Sequence, residues 1–206
     1  MAEKVYLYPV WLRLWHLANA ILCLVLIITG ISMQYSNPDY PIIRFDTAVS
    51  IHNVTGILLT ISYLAFFIGN LITGNGAYYR IVIKGFAERL KRQFRYYLIG
   101  IFKGEKAPFR IDKTRKFNPL QKFSYVLIMY IVLPVTFITG WGLLFPEVIL
   151  SKVFGLNGIL LTDNLHLILG FLVTMFLFIH IYFCTIGATV GSNFRAMITG
   201  YHESHE

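Results

Sequence analysis

Four of the six histidines in this 206-residue chain, His16, His52, His166 and His180, lie inside long apolar runs. An imidazole is costly in hydrocarbon and asks for a partner that justifies it. Neutral imidazole is a good ligand for transition metals, so metal coordination is the chemistry these four residue types offer. His166 and His180 sit on one stretch, Asp163 to Gly187, with a spacing of 14 residues. On an α-helix that is about 21 Å along the axis and about 40° short of four whole turns. Both imidazoles therefore point the same way, one near each end of a membrane-length rod.

The elements that must position them follow from composition. Hydrophobic residues make up 56% of the chain and aromatics 16%, and the mean hydropathy is +0.63. Runs of about 20 apolar residues in such a chain indicate transmembrane helices. Four are expected, over about 11–33, 50–72, 120–145 and 163–187, in one membrane domain covering 1–206. The segment 78–117 differs. Phe86, Leu90, Phe94 and Leu98 recur every four residues among Lys84, Glu88, Arg89, Lys91, Arg92 and Arg95. That pattern predicts a basic amphipathic helix in the headgroup layer, or a surface for a partner protein. Lys103 to Lys116 reads as an extended charged loop broken by Pro108.

The net charge of +8 would suggest nucleic acid in a soluble chain, but here its distribution decides. Of 18 Lys and Arg, 13 lie between Arg80 and Lys122. Under the positive-inside rule that connection is cytoplasmic, which puts both termini inside and the two short connections outside. No nucleic-acid partner is expected. The fold class is an all-α integral membrane four-helix bundle, with an interfacial helix between the second and third spans. The N-terminus reads as a retained helix, without the small-residue cleavage pattern of a signal peptide.

Smaller features complete the reading. Pro134 should kink the third span, and Thr139-Gly140-Trp141-Gly142 near its end allows close approach. Asp163 reads as a helix cap. Cys23 and Cys184 read as packing residues. His202 and His205 read as solvated residues of a polar tail.

Depth sorts the four histidines into two levels. The first helix enters from the cytoplasm, so His16 is near the inner surface; the second enters from outside, so His52 is near the outer one. The fourth runs inward, with His166 outside and His180 inside. Each histidine thus has a mate at its own depth: His52 with His166, and His16 with His180. His16 or His52 alone would read as an interfacial histidine.

Zinc sites add further Cys or carboxylate ligands, and no third histidine stands at either level. Two histidines facing each other fit the axial positions of a planar haem, whose macrocycle completes the coordination. No C-x-x-C-H motif is present for covalent attachment, so the expectation is two haem b. Gly56 and Gly170, each four residues after a histidine, with Gly30 and Gly140, could supply room, or ordinary helix packing. A redox centre near each surface makes a transmembrane electron conduit. The rival class is a non-redox transporter or scaffold that uses buried histidines for proton relay.

At these residues the chain resembles the di-haem cytochrome b subunits of bacterial respiratory enzymes. The gamma subunit of formate dehydrogenase and the cytochrome b subunit of thiosulfate reductase are the nearest in pattern, with hydrogenase b-type cytochromes more distant. The likeness rests on Arg13-Leu-Trp-His-Leu-Ala-Asn19 with Thr29-Gly30, on His52, on Lys116-Phe-Asn-Pro-Leu-Gln-Lys122 and on the pair in the last helix. It implies the same two ligand pairs, and a menaquinone or ubiquinone site beside the inner haem lined by the segment matching Asn118 to Lys122. Pro119-Leu120 replace small residues of the formate dehydrogenase pattern, so only Asn118, Gln121 and Lys122 carry over. Asn118, Pro119 and Gln121 also have the spacing of a helix-capping arrangement. The resemblance further implies an outer-face iron–sulfur subunit, a molybdenum catalytic subunit holding the primary substrate site, and a bacterial inner-membrane location. A nickel-iron hydrogenase partner is the alternative within the class.

Overall fold

The computed structural model describes residues 4–37, 39–153 and 155–203. Four helices are long and apolar enough to cross a membrane: α1 (Val10–Tyr35), α2 (Phe45–Ile72), α4 (Pro119–Leu144) and α5 (Gly158–Cys184). Two shorter helices, α3 (Phe86–Arg95) and α6 (Ser192–Thr199), follow the second and fourth of these. The architecture is the all-α membrane bundle expected from hydropathy.

Solvation explains where the side chains point. Outward positions carry Leu14, Ile138, Phe171 and Phe178, all more than 60% exposed, as suits helices whose solvent is lipid. Several of the most buried positions in the spans are instead polar: Thr29, Ser32, Thr55, Asn70 and Thr139. Small hydroxyl side chains let helix backbones approach, and the threonines at 29 and 139 satisfy themselves on their own helix while Ser32 ties α1 to the Ile43 backbone. Thr29 Oγ1, for example, donates to the Val25 carbonyl oxygen at 2.7 Å.

The chain folds as two compact units, and each long helix supplies residues to both. One unit comprises 1–13, 68–130 and 180–206; the other comprises 14–67 and 131–179. In the first, β1 (Lys4–Tyr6) pairs antiparallel with β4 (Tyr201–Glu203), so the two ends of the described chain meet. Gly200 makes this possible. Its φ is +88°, and a Cβ there would lie 2.7 Å from the Tyr8 carbonyl oxygen. His202 is therefore not a solvated tail residue: it is half-buried opposite Val5, beside a Lys4–Glu203 ion pair at 3.5 Å. His205 lies outside the described residues.

Two helix boundaries also differ from the hydropathy reading. α2 starts at Phe45, ahead of Ser50. α5 starts at Gly158, where Asn157 Oδ1 accepts from the Leu160 N–H at 3.1 Å and acts as the cap. Asp163 is thus not a cap but an exposed residue in the second turn. The connection before it holds a short hairpin, β2 (Lys152–Val153) with β3 (Leu156–Asn157). At Pro134 the structure shows a π turn over Ile128–Val132. Proline has no N–H for the Tyr130 carbonyl, and widening the preceding turn accommodates that loss.

In α3 the inward side chain is Gln93, 2% exposed, while Phe94 and Leu98 are 55% and 58% exposed. The four-residue apolar repeat thus splits across two faces. A π turn over Tyr96–Gly100 contributes to that rotation.

Candidate functional site

His52 and His166 come together within the second unit. Their ring centres are 6.3 Å apart and their planes lie at 76°. Each is held by the same device. Thr29 Oγ1 on α1 is 2.9 Å from His52 Nδ1, and Thr139 Oγ1 on α4 is 3.0 Å from His166 Nδ1. Both threonines are buried and spend their one hydroxyl proton on a backbone carbonyl four residues back, Val25 or Val135. With the hydroxyl protons on those carbonyls the threonines accept from histidine, an arrangement in which Nδ1 carries the imidazole proton and Nε2 keeps its lone pair for a metal.

A haem iron fits this donor set. Two imidazoles face one another here, and among the described residues no carboxylate or thiolate completes a metal-binding group with them, which suits a metal whose remaining ligands come from its own macrocycle. Glycines shape the surroundings. A Cβ on Gly140 would lie 3.1 Å from His166 Cε1, and one on Gly30 would lie 3.6 Å from His52 Cε1. At Gly56 and Gly170 a Cβ would meet nothing within 4 Å. Each histidine therefore has a glycine close against its ring from the neighbouring helix and another opening space one turn further along its own. Among the described residues no three His, Cys, Asp or Glu gather as a metal-binding group, so a multi-carboxylate or multi-thiolate centre has no ligands here.

His180 belongs to the first unit, and its neighbours are of another kind. The Tyr125 ring stands edge-on to it at 5.9 Å, and Cys184 Sγ is 3.8 Å from its Nε2. Next along α5, Phe183 packs on Tyr97 at 4.7 Å. The Tyr97 hydroxyl accepts from Asn118 Nδ2 at 2.9 Å. Asn118 is buried and caps α4: its Oδ1 accepts from the Gln121 N–H at 2.9 Å, and Gln121 Oε1 accepts from the Asn118 N–H at 3.1 Å. The capping box legible in the sequence is complete. Lys122 Nζ donates to the Arg80 carbonyl at 3.3 Å. His16, half-buried on α1, falls in the second unit.

The first unit also holds a buried cation that the sequence did not single out as one. Lys116 is 2% exposed. Its Nζ donates to Asn75 Oδ1 at 2.9 Å and lies 5.1 Å from the ring centres of both Tyr8 and Tyr78. Asn75 in turn donates to Asn70 Oδ1 at 2.6 Å, and Asn70 reaches the Tyr130 hydroxyl at 3.4 Å. Burial lowers the Lys116 pKa to about 8 and raises that of Tyr8 to about 12. Burial also raises Tyr79 and Tyr97 above the usual phenol value.

The profile of the family described as prokaryotic cytochrome b561 matches residues 7–200. Among curated proteins, one from Escherichia coli (strain K12) with the name "Putative cytochrome YdhU" is 38% identical over 200 residues. The alignment covers 97% of this chain and 75% of that one.

Proposed function

Since this chain belongs to the prokaryotic cytochrome b561 family, and so is a haem b-binding multi-pass membrane protein of electron transfer, we propose that it is the membrane-anchoring di-haem subunit of a respiratory oxidoreductase. A non-redox transporter or scaffold is set aside by the same membership. In this reading His52 and His166 hold one haem b, and His16 and His180 hold the second. Haem supplies a one-electron ferric/ferrous couple at each site. The carrying observation is the paired Thr29–His52 and Thr139–His166 contacts, which leave two Nε2 lone pairs for one iron. The second pair rests on depth along the helices: His16 is six residues from the start of α1, and His180 is four from the end of α5.

The protein then moves electrons between an iron–sulfur partner subunit at the outer face and menaquinone or ubiquinone near the cytoplasmic face. A molybdenum catalytic subunit lies beyond the iron–sulfur protein and carries the primary substrate site. Support for an outer partner comes from apolar side chains beyond the ends of the long helices. Tyr40, Ile42, Val148 and Leu150 are 84%, 65%, 70% and 71% exposed in connections that would otherwise face water. Support for the inner side as cytoplasmic comes from charge. The basic connection and the paired terminal strands belong to one unit, and 13 of the 18 basic residues lie in that connection. Support for the quinone comes from polar groups grouped around the helix of His180. Tyr97 packs on Phe183 of that helix and its hydroxyl accepts from Asn118, and Gln121, which closes the cap with Asn118, keeps its amide N–H groups as donors that the cap does not use. This chain supplies binding and positioning there, and the bacterial inner membrane supplies the quinone pool.

Haem quantification with a redox spectrum of the purified chain tests this. About two haem b per chain are expected. His166→Ala and His52→Ala should each remove the same haem, and His180→Ala should remove the other together with quinol reactivity. One haem per chain, or different haems lost from His52→Ala and His166→Ala, would sink the reading.

A further inference from the structure

Beside the start of α4 lies a cavity of about 350 Å³ whose walls combine three cations with three aromatic rings. The cations are Arg89 from α3, Arg115 from the following loop and Lys122 from the first turns of α4; the rings are Phe86, Phe109 and Phe117. No carboxylate lines it. The ion pairs among the described residues are Lys4–Glu203, Arg44–Asp46 and Arg95–Glu105, so none of the three cations sits in a close ion pair, and Asp112 acts on Arg115 only from beyond contact distance. The nearby Asp112 spends Oδ1 on its own loop, accepting from the Thr114 N–H and hydroxyl and the Arg115 N–H.

The guanidinium groups are held in place rather than loose. Arg89 donates to the Val82 and Lys84 carbonyl oxygens and lies over the Phe86 ring at 6.0 Å. Arg115 and Arg92 both lie over Phe109, at 5.6 and 5.8 Å. Three like charges converging on one cavity repel each other, and an anion seated among them relieves that cost. Arginine forks match phosphate oxygens in particular.

The neighbourhood narrows the class of anion. Val82, which also lines the cavity, and Ile83 beside it are 65% and 85% exposed. The cavity stands where α4 enters its apolar stretch, the level at which a membrane helix meets headgroups. A polar anion continuous with apolar chains suits such a site, and a neutral quinone ring would leave the three charges uncompensated. We infer that this cavity binds the phosphodiester headgroup of an anionic glycerophospholipid, with its acyl chains leaving over Val82 and Ile83. The inference does not depend on how many haems the chain holds.

The test uses the full-length, delipidated, haem-loaded protein in detergent, titrated with phosphatidylglycerol or phosphatidylcholine of the same acyl length, with lipid adducts counted by native mass spectrometry. Phosphatidylglycerol should bind about tenfold or more tightly, the scale of two basic side chains acting on an anionic lipid. Arg89→Gln with Arg115→Gln should erase that preference while the haem spectrum per chain stays unchanged. Lys103→Gln with Lys106→Gln, the same charge change elsewhere on the basic segment, should keep it. If the double arginine variant loses haem, Arg89→Lys, which keeps charge but not the fork, should show a partial loss. Equal binding of the two lipids, an undiminished preference in the double variant, or an equal loss in the lysine control would overturn the proposal. Displacement of the lipid by millimolar inorganic phosphate would identify a free-phosphate site and overturn the lipid assignment.

Discussion

His166 and His180 stand on the same helix, yet the two regions around them use opposite materials. Around His166 and its mate His52 the contacts are threonine hydroxyls and glycine backbones, groups that do not titrate and have few rotamers. Around His180 the neighbours are Tyr125 and Cys184, and the same unit carries Tyr8, Tyr79, Tyr97 and the buried Lys116. The first region is built to hold an imidazole still. The second is rich in groups that carry protons, which suits a site where proton and electron chemistry meet.

The largest effect that would test this contrast comes from the threonines. Thr139→Val keeps shape and removes the hydroxyl that faces His166 Nδ1, leaving the Thr136 carbonyl as the remaining acceptor, so ring orientation is loosened. Losing such an outer-shell partner costs about 10–100-fold in metal affinity. Haem titration of the apoprotein should show that loss at one site, with a shift in one midpoint potential, and Thr139→Ser should restore both. Thr29→Val should do the same through His52. A variant in which both potentials move equally would show that the two regions are not separate in function.

A smaller effect separates the glycines. At Gly140 an added methyl would stand 3.1 Å from His166 Cε1, tighter than ordinary contact, whereas at Gly30 the distance to His52 is an ordinary 3.6 Å. Gly140→Ala should lower haem occupancy a few-fold and broaden its absorbance, and Gly30→Ala should be close to wild type. The reverse order would show that helix packing, and not clearance for the ring, fixes these glycines.

How much of this was legible follows from what each feature depends on. The four spans follow from local hydropathy, and the cap at Asn118 from a four-residue pattern, so both could be read directly. The meeting of His52 and His166 follows from counting residues along the second and fourth spans. The Thr-Gly pairs at 29–30 and 139–140 stand out in the sequence, but the role of their hydroxyls does not. In an apolar run a threonine looks like one more β-branched residue, and only the bundle reveals which ring its oxygen faces. Lys116 was hidden among 12 other basic residues between Arg80 and Lys122. Its burial depends on Asn75, 41 positions away, and on Tyr8 from the N-terminal segment. The β1–β4 pairing joins three-residue strands from opposite ends of the chain, too short to show a period of two.

Lys116 gives a test of another kind, read in stability and not in haem, and its sign can be worked out. Its folded pKa is about 8, against the usual 10.5. Below about pH 8 the ammonium is charged in both folded and unfolded chains, and the cost of burying it is fully present. Between about 8 and 10.5 the folded protein has given up this proton while the unfolded chain still holds it. The unfolded state then binds more protons, and stability rises with pH. Tyr8 acts in the opposite sense above pH 10, because its folded pKa of about 12 exceeds the usual 10.0. The clean window is therefore about pH 8 to 9, below the range in which the thiols and phenols of the unfolded chain lose their protons. There the thermal unfolding midpoint of the purified protein in detergent should climb, and Lys116→Met should flatten the climb. An equal slope in Lys116→Met would mean that another group titrates there. The buried cation would then be a fixed clamp on Asn75, Tyr8 and Tyr78, with no proton to exchange, and the contrast between a rigid region and a proton-bearing one would rest on the tyrosines alone.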